Sequence, residues 1–259
     1  MFQIALIFAT SRGCRLGEFI KSNGEARVFF IRGGRIEKIK REARYRIKQF
    51  SKRYSEIHVY FLVGIPDLTN REVRHAYEEV TFTDNPQQKI KEMKEIFLGL
   101  SETIKRYGCK VCICTLPPMS LSKWNFHRLF LRKTSRLLHK DNYITMQRNL
   151  EKSVIDINKH IIELNISNQM VTPFISDTIL KKTKKGLKRQ YSKFPDGLHP
   201  GVETYAKWGE LISARIDLNF AKHMEGGAQM HIARAKYPSS SATQALGSPP
   251  HKKRSWKTY

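Results

Sequence analysis

The sequence predicts an α/β domain: a three-layer α/β/α sandwich built around a mostly parallel sheet of about five strands. Three observations predict it. Several short segments are rich in β-branched and aromatic residues and apolar at both odd and even positions, which suits central strands covered on both faces. Between them, longer segments repeat apolar residues every three or four positions, the mark of amphipathic helices. The two kinds of segment alternate, and strand–helix alternation yields a parallel sheet with helices on both sides. The 259 residues suffice to bury a substantial core.

The first strand is expected at residues 3–10 (QIALIFAT), and the apolar start of the chain is read as this strand rather than as a secretion signal. Further strands are expected at 27–31 (RVFFI), 57–63 (IHVYFLV), 110–115 (KVCICT) and 171–175 (VTPFI). One helix follows from the stripe Ile36, Ile39, Ala43, Ile47, Phe50 and Tyr54. A second follows from Ile90, Met93, Phe97, Leu100, Ile104 and Tyr107, and a third from the run Tyr143 to Leu164. A last helix begins after His199, with Pro200 in its first turn and Tyr205, Trp208, Leu211, Ile212 and Ile216 on its buried side. Residues 1–220 are thus expected to form one domain and 221–259 a basic, disordered tail rich in Ser, Pro and Gly. KKR at 252–254 reads as a nuclear signal or as tail charge.

With 47 Lys and Arg against 23 Asp and Glu, the formal net charge is +24. A field of that sign favours polyanions such as nucleic acid, anionic membrane surface or sulfated glycans; equally, it keeps a protein soluble. The densest basic stretch is Lys181, Lys182, Lys184, Lys185, Lys188 and Arg189, a candidate polyanion contact. Trp124, Phe126, His127 and Phe130, with Arg128, Arg132 and Lys133, read either as an aromatic–basic surface for single strands or as an amphipathic helix with a basic outer face. No apolar run approaches the ~20 residues of a membrane span. Of the four cysteines, Cys109, Cys112 and Cys114 cluster on one strand, where they cannot staple distant loops; a reducing, intracellular compartment is expected. Strand alternation sends Cys109 to the face opposite Cys112 and Cys114, so no metal site is expected, and nothing calls for a cofactor.

Ligands of parallel sheets collect at the carboxyl ends of the strands. Ser11 stands there after the first strand, at the start of a helix, either as an N-cap or as a nucleophile near the positive end of a helix dipole. Gly33 and Gly34 follow the second strand, where a glycine turn either simply reverses the chain or presents an N–H to a developing oxyanion. The third strand ends at Gly64-Ile65-Pro66-Asp67-Leu68-Thr69-Asn70, a turn in which Asp67 and Asn70 can cap the next segment and Gly64, Asp67 and Asn70 can border a substrate. Before the last helix lies Asp196-Gly197-Leu198-His199-Pro200. An imidazole acting as a base toward a serine needs a proton-accepting partner on its far nitrogen, and Asp196 or a backbone carbonyl can be that partner.

In their order and placement these residues resemble the SGNH-hydrolase superfamily (GDSL-esterase-like), over about residues 1–218. That family has a nucleophilic serine after strand one, a glycine after strand two, Gly-x-Asn-Asp after strand three and Asp-x-x-His before the last helix. Ser11, Gly33 or Gly34, Gly64-Ile65-Pro66-Asp67 and Asp196-x-x-His199 occupy those places. Ser-Arg-Gly after strand one, with DGLHP near the end, looks most like the esterase-like domains of mobile-element or viral proteins. The resemblance implies a flavodoxin-like strand order and hydrolysis of an O-acyl ester, with Ser11 attacking, His199 taking its proton, Asp196 orienting the imidazole, and the N–H groups of Ser11, Gly33 and Gly34 holding the oxyanion. Two departures stand out: Ala9-Thr10-Ser11 replaces Gly-Asp-Ser, and Pro66 falls where the family has its oxyanion-hole asparagine. Proline offers neither an N–H nor a side-chain donor, and losing one such donor typically costs ~10²–10³ in rate. The alternative is therefore a domain that keeps the fold, is catalytically weak or inactive, and binds nucleic acid or another polyanion.

Overall fold

A computed structural model describes residues 2–74, 77–132, 140–184 and 186–224. Met1–Phe220 forms one compact unit. Lys133, Lys185 and the expected tail beyond 224 lie outside the described residues.

The chain begins with β1 (Gln3–Thr10), β2 (Glu25–Ile31), α1 (Ile36–Phe50) and β3 (Glu56–Leu62). A four-residue helix, α2 (Ile65–Leu68), leads into a hairpin of β4 (Asn70–Arg74) and β5 (Tyr77–Thr81). Then come α3 (Pro86–Lys105), β6 (Lys110–Ile113), α4 (Leu121–Arg132) and α5 (Tyr143–Ser167). A second hairpin, β7 (Leu180–Thr183) and β8 (Gly186–Arg189), precedes α6 (Val202–Met224). The central sheet is all parallel, in the order β2-β1-β3-β6.

Alternation along the strands builds the layers. Ile4, Leu6 and Phe8 of β1 and Ile57, Val59 and Phe61 of β3 face α1, α3 and α5 in one core. Ala5, Ile7 and Ala9, with Tyr60 and Leu62, face Trp208, Ile212 and Ile216 of α6 in the other. Alanines at positions 5 and 9 leave room for α6 to sit close to the sheet. Cys109 lies in the first core and Cys112 and Cys114 in the second, as alternation predicts. Burial pushes the Cys109 thiol up to about 12 and raises the Cys112 and Cys114 thiols well above their ordinary value, so all three are protonated at neutral pH.

The α/β/α layering is as the sequence predicts, with four strands in the sheet. The segment at 171–175 lies beside β6 without forming a fifth, and at Ile175 it already turns into a 3₁₀ helix, the Ile175 N–H bonding the Pro173 carbonyl at 3.0 Å. Its Pro173 carbonyl accepts from the Thr115 N–H at 3.1 Å, but proline has no N–H to return. Its Val171 N–H turns away to the Asn219 side chain at 2.7 Å. Pro200 also differs from expectation: the Tyr205 N–H bonds the Gly201 carbonyl, so the proline stands just ahead of α6 rather than in its first turn.

Candidate active site

The carboxyl end of β1 delivers Ser11. Register pairs Thr10 with Ile31 across β1 and β2, so Ser11 emerges level with Arg32, one residue before Gly33. Ser11 opens a three-residue 3₁₀ turn rather than an α-helix, and Thr10 is its N-cap, accepting from the Arg12 N–H. A turn so short carries little macrodipole, so the expected electrostatic help from a helix terminus is not built here.

His199 arrives from the other end of the chain. Its Nε2 lies 3.1 Å from Ser11 Oγ, a contact spanning 188 residues. Its Nδ1 lies 2.6 Å from Asp196 Oδ2. A carboxylate only accepts, so Nδ1 carries the ring proton and Nε2 presents a lone pair to the serine hydroxyl. Of the two partners open to the imidazole, the carboxylate is the one in contact. The other oxygen, Asp196 Oδ1, accepts from the backbone N–H groups of Leu198 (2.8 Å) and His199 (2.7 Å). Burial opposes ionisation of Asp196, but the bonds from the His199 ring and from these two N–H groups outweigh it and hold the carboxyl down at about 2. Trp124 of α4 meets the imidazole edge-on, with ring centroids 5.6 Å apart.

That depressed value has a consequence for stability. The folded value lies below the ordinary ~3.9, so the contribution of Asp196 is complete above about pH 4 and is lost as pH falls toward about 2. The melting temperature should drop over that window more steeply in the native chain than in Asp196→Asn, as a thermal-melt series in acid would record.

The Asp196–His199 turn is fixed by close approach. Gly197 has φ +88°, and a Cβ there would sit 2.6 Å from the Trp124 backbone nitrogen. The Gly197 carbonyl also accepts from the Ser120 N–H at 2.8 Å, bonding the turn to the head of α4.

Arg12, next to the serine, is a residue whose role sequence reasoning missed. It is 3% exposed. Its guanidinium donates from Nε to the Leu198 carbonyl at 3.0 Å, from Nη1 to the Pro117 carbonyl at 2.5 Å and from Nη2 to the Pro118 carbonyl at 3.4 Å. It also lies over the rings of Phe194 and Trp208. Burial lowers its pKa to about 10, with Tyr205 and Asp196 offsetting part of the fall, so it stays charged at neutral pH. One side chain thus ties the serine turn to the loop after β6 and to the peptide just before His199. The one signal for it in the sequence is its place in Ser11-Arg12-Gly13 after strand one; its three carbonyl partners lie more than 100 residues away and leave no local mark.

The remaining expected site residues divide. Gly33, at φ +59°, is open, with nothing near a Cβ. The Gly34 N–H is committed to the Ile31 carbonyl at 3.1 Å and is not free to meet an oxyanion. Asp67 is engaged in structure: both its oxygens accept from the Ile36 N–H at 3.1 Å, capping α1 and pinning the Gly33 loop to the end of β3. Burial raises its pKa, and that hydrogen bond only partly offsets the rise. Gly64 is buried against Phe97 and Leu116. Asn70 is exposed and opens β4, paired with Thr81. Lys181, Lys182, Lys184 and Lys188 are exposed on the β7–β8 hairpin, while Arg189 is bound to Glu151 at 2.7 Å. Among the described residues no group of three His, Cys, Asp or Glu side chains is placed to hold a metal ion, and no helix is long and apolar enough to cross a membrane.

No protein-family model and no curated protein matches the chain in sequence. Solved structures match it in shape. A candidate acylhydrolase from Bacteroides fragilis superposes with a TM-score of 0.54 at 16% identity, covering 85% of this chain and 88% of that one. A GDSL-like lipase from Bacteroides thetaiotaomicron gives 0.52 at 13% identity, over 85% and 88%. An acetyl xylan esterase gives 0.50 at 14% identity, over 82% and 98%. With its parallel sheet, its helical layers and these neighbours, the chain has the fold of the GDSL/SGNH hydrolases.

Proposed function

We propose that this chain is a serine esterase that hydrolyses an O-acyl ester. The observation that carries the reading is the relay from Ser11 Oγ to His199 Nε2 and from His199 Nδ1 to Asp196, drawn from opposite ends of the chain. The names of the structural neighbours (acylhydrolase, lipase and acetyl xylan esterase) fit the same chemistry.

In this mechanism Ser11 Oγ attacks the ester carbonyl while His199 Nε2 takes its proton, and Asp196 stabilises the imidazolium that forms. The N–H groups of Ser11 and Gly33 face the developing oxyanion. Collapse of the tetrahedral intermediate breaks the bond to the alcohol, which leaves with the proton from His199. Water, deprotonated by His199, then attacks the acyl-serine, and the acid departs as Ser11 regains its proton.

An organophosphonate probe tests the reading directly. A single covalent adduct on Ser11, together with turnover of a short-chain nitrophenyl ester, is the expected result; a native chain that neither labels nor turns over ester refutes it. The missing donor is testable in the opposite direction. Pro66→Asn restores the side-chain type of the family at that position and should raise kcat by about tenfold or more, against the ~10²–10³ that such a donor typically contributes.

A second reading has its own observation. Lys181 and Lys188 are cross-strand partners on an exposed hairpin, a like-charge pair that an isolated ladder disfavours. None of Lys181, Lys182, Lys184 and Lys188 pairs with a carboxylate among the described residues. The hairpin on this reading binds a polyanion, with an affinity that falls steeply between about 50 and 200 mM salt.

A further inference from the structure

Along α4 the buried side is Leu121, Asn125 and Leu129. Asn125 anchors it by donating to the Val80 carbonyl at 2.7 Å and accepting from the Val80 N–H at 2.8 Å. The opposite side mixes apolar and polar residues: Lys123 and His127 sit at its centre, with Phe126 and Phe130 on one flank and Leu131 on the other. Phe130 is 82% exposed, Leu131 60% and Phe126 48%. At 100° per residue this arc runs from Phe126 through Phe130, Lys123, His127 and Leu131 to Trp124, which touches the His199 ring. Phe126 and Phe130, one helical turn apart and both exposed beside Lys123, form an aromatic–basic contact surface.

The basic hairpin adjoins this helix. Lys123 of α4 donates from Nζ to the Phe194 carbonyl at 2.7 Å and to the Tyr191 carbonyl at 3.4 Å, and Tyr191 lies two residues past the end of β8. The hairpin carries four exposed lysines and, on the same face as Lys182, an exposed Leu187. Lys181 and Lys188 share the other face of the hairpin. Exposed rings and exposed lysines on these two elements match the chemistry of a bilayer with anionic headgroups: the rings enter the acyl boundary while lysines meet the phosphates.

We infer that the exposed face of α4 and the β7–β8 hairpin together dock the protein on an anionic lipid surface, presenting the Ser11–His199 crevice to acyl esters held there. The docking stands on these two elements; the choice of an interfacial ester as substrate rests on the esterase reading above.

The test uses the full chain carrying Ser11→Ala, so that catalysis cannot alter the membrane, in sedimentation with vesicles of phosphatidylcholine alone or with about one fifth phosphatidylserine. Binding should require the anionic lipid and weaken with salt. Replacing Lys181, Lys182, Lys184 and Lys188 with glutamine should lower partitioning by up to about 600-fold, at roughly fivefold per lysine. Phe126→Ser with Phe130→Ser should lower it by about tenfold or more. Both rings are exposed, so the melting temperature of this variant should match the parent and establish that it folds. Failure to bind anionic vesicles overturns the inference, as does binding that the phenylalanine changes leave untouched. Binding of a single-stranded oligonucleotide in place of vesicles overturns it in favour of a nucleic-acid partner. Turnover of a soluble short-chain ester by the native chain is read separately. Turnover without vesicle binding refutes docking alone, and vesicle binding without turnover supports docking while refuting the esterase reading.

Discussion

Ser11→Ala should reduce ester turnover to the uncatalysed background, a loss of about 10⁴-fold or more in kcat/KM if the native site works as a relay. In the proposed mechanism the hydroxyl is the bond-forming group, and at 3.1 Å it already sits at hydrogen-bond distance from His199 Nε2. His199→Ala should cost about as much, and the double variant no more than either single one, because a nucleophile and its base act as one unit. Initial rates on a nitrophenyl ester give all three numbers. Additive losses, or a Ser11→Ala variant as fast as the native chain, would remove the serine from the mechanism.

Arg12 should give the second large effect. Its three acceptors are carbonyls that no other side chain among the described residues satisfies, and it is itself buried. Arg12→Ala leaves those carbonyls without their donor and opens a void beneath Phe194 and Trp208, at a cost of about 3–5 kcal/mol in stability. At about 2–4 °C per kcal/mol for a domain of this size, the melting temperature should fall by roughly 10 °C. Arg12→Lys separates packing from geometry. A lysine keeps the charge but cannot span two loops with a planar fork. The serine turn and the peptide before His199 should then lose their common anchor, and kcat should fall by about tenfold or more while KM for a short ester stays near its native value. A lysine variant with native kcat would reduce Arg12 to a packing residue.

Much of the fold was legible because its signals are local. The four central strands are apolar on both parities, and α1, α3, α5 and α6 carry unbroken stripes of buried residues. Ser11, Asp196 and His199 were legible for a related reason: each lies at a strand end or helix start, where a parallel sheet gathers polar groups. What escaped is settled between distant parts of the chain. Asp67 caps a helix that begins 31 residues earlier, and no local pattern marks that partnership. The β4–β5 hairpin is dense in charge, with Arg71, Glu72, Arg74, Glu78 and Glu79, so no apolar alternation announces it. The segment at 171–175 has strand composition, yet Pro173 and the pull of Asn219 on Val171 prevent a ladder.

The distance in sequence between Ser11 and His199 also orders events in time. During synthesis the sheet strands leave the ribosome long before the turn that carries the imidazole, and α6 is the last described element to follow. A nascent or C-terminally truncated chain therefore holds its serine without a base, however well its first half has collapsed. On the proposed mechanism acyl transfer begins only once the segment carrying His199 has docked, so hydrolytic competence would report the completion of folding rather than its onset.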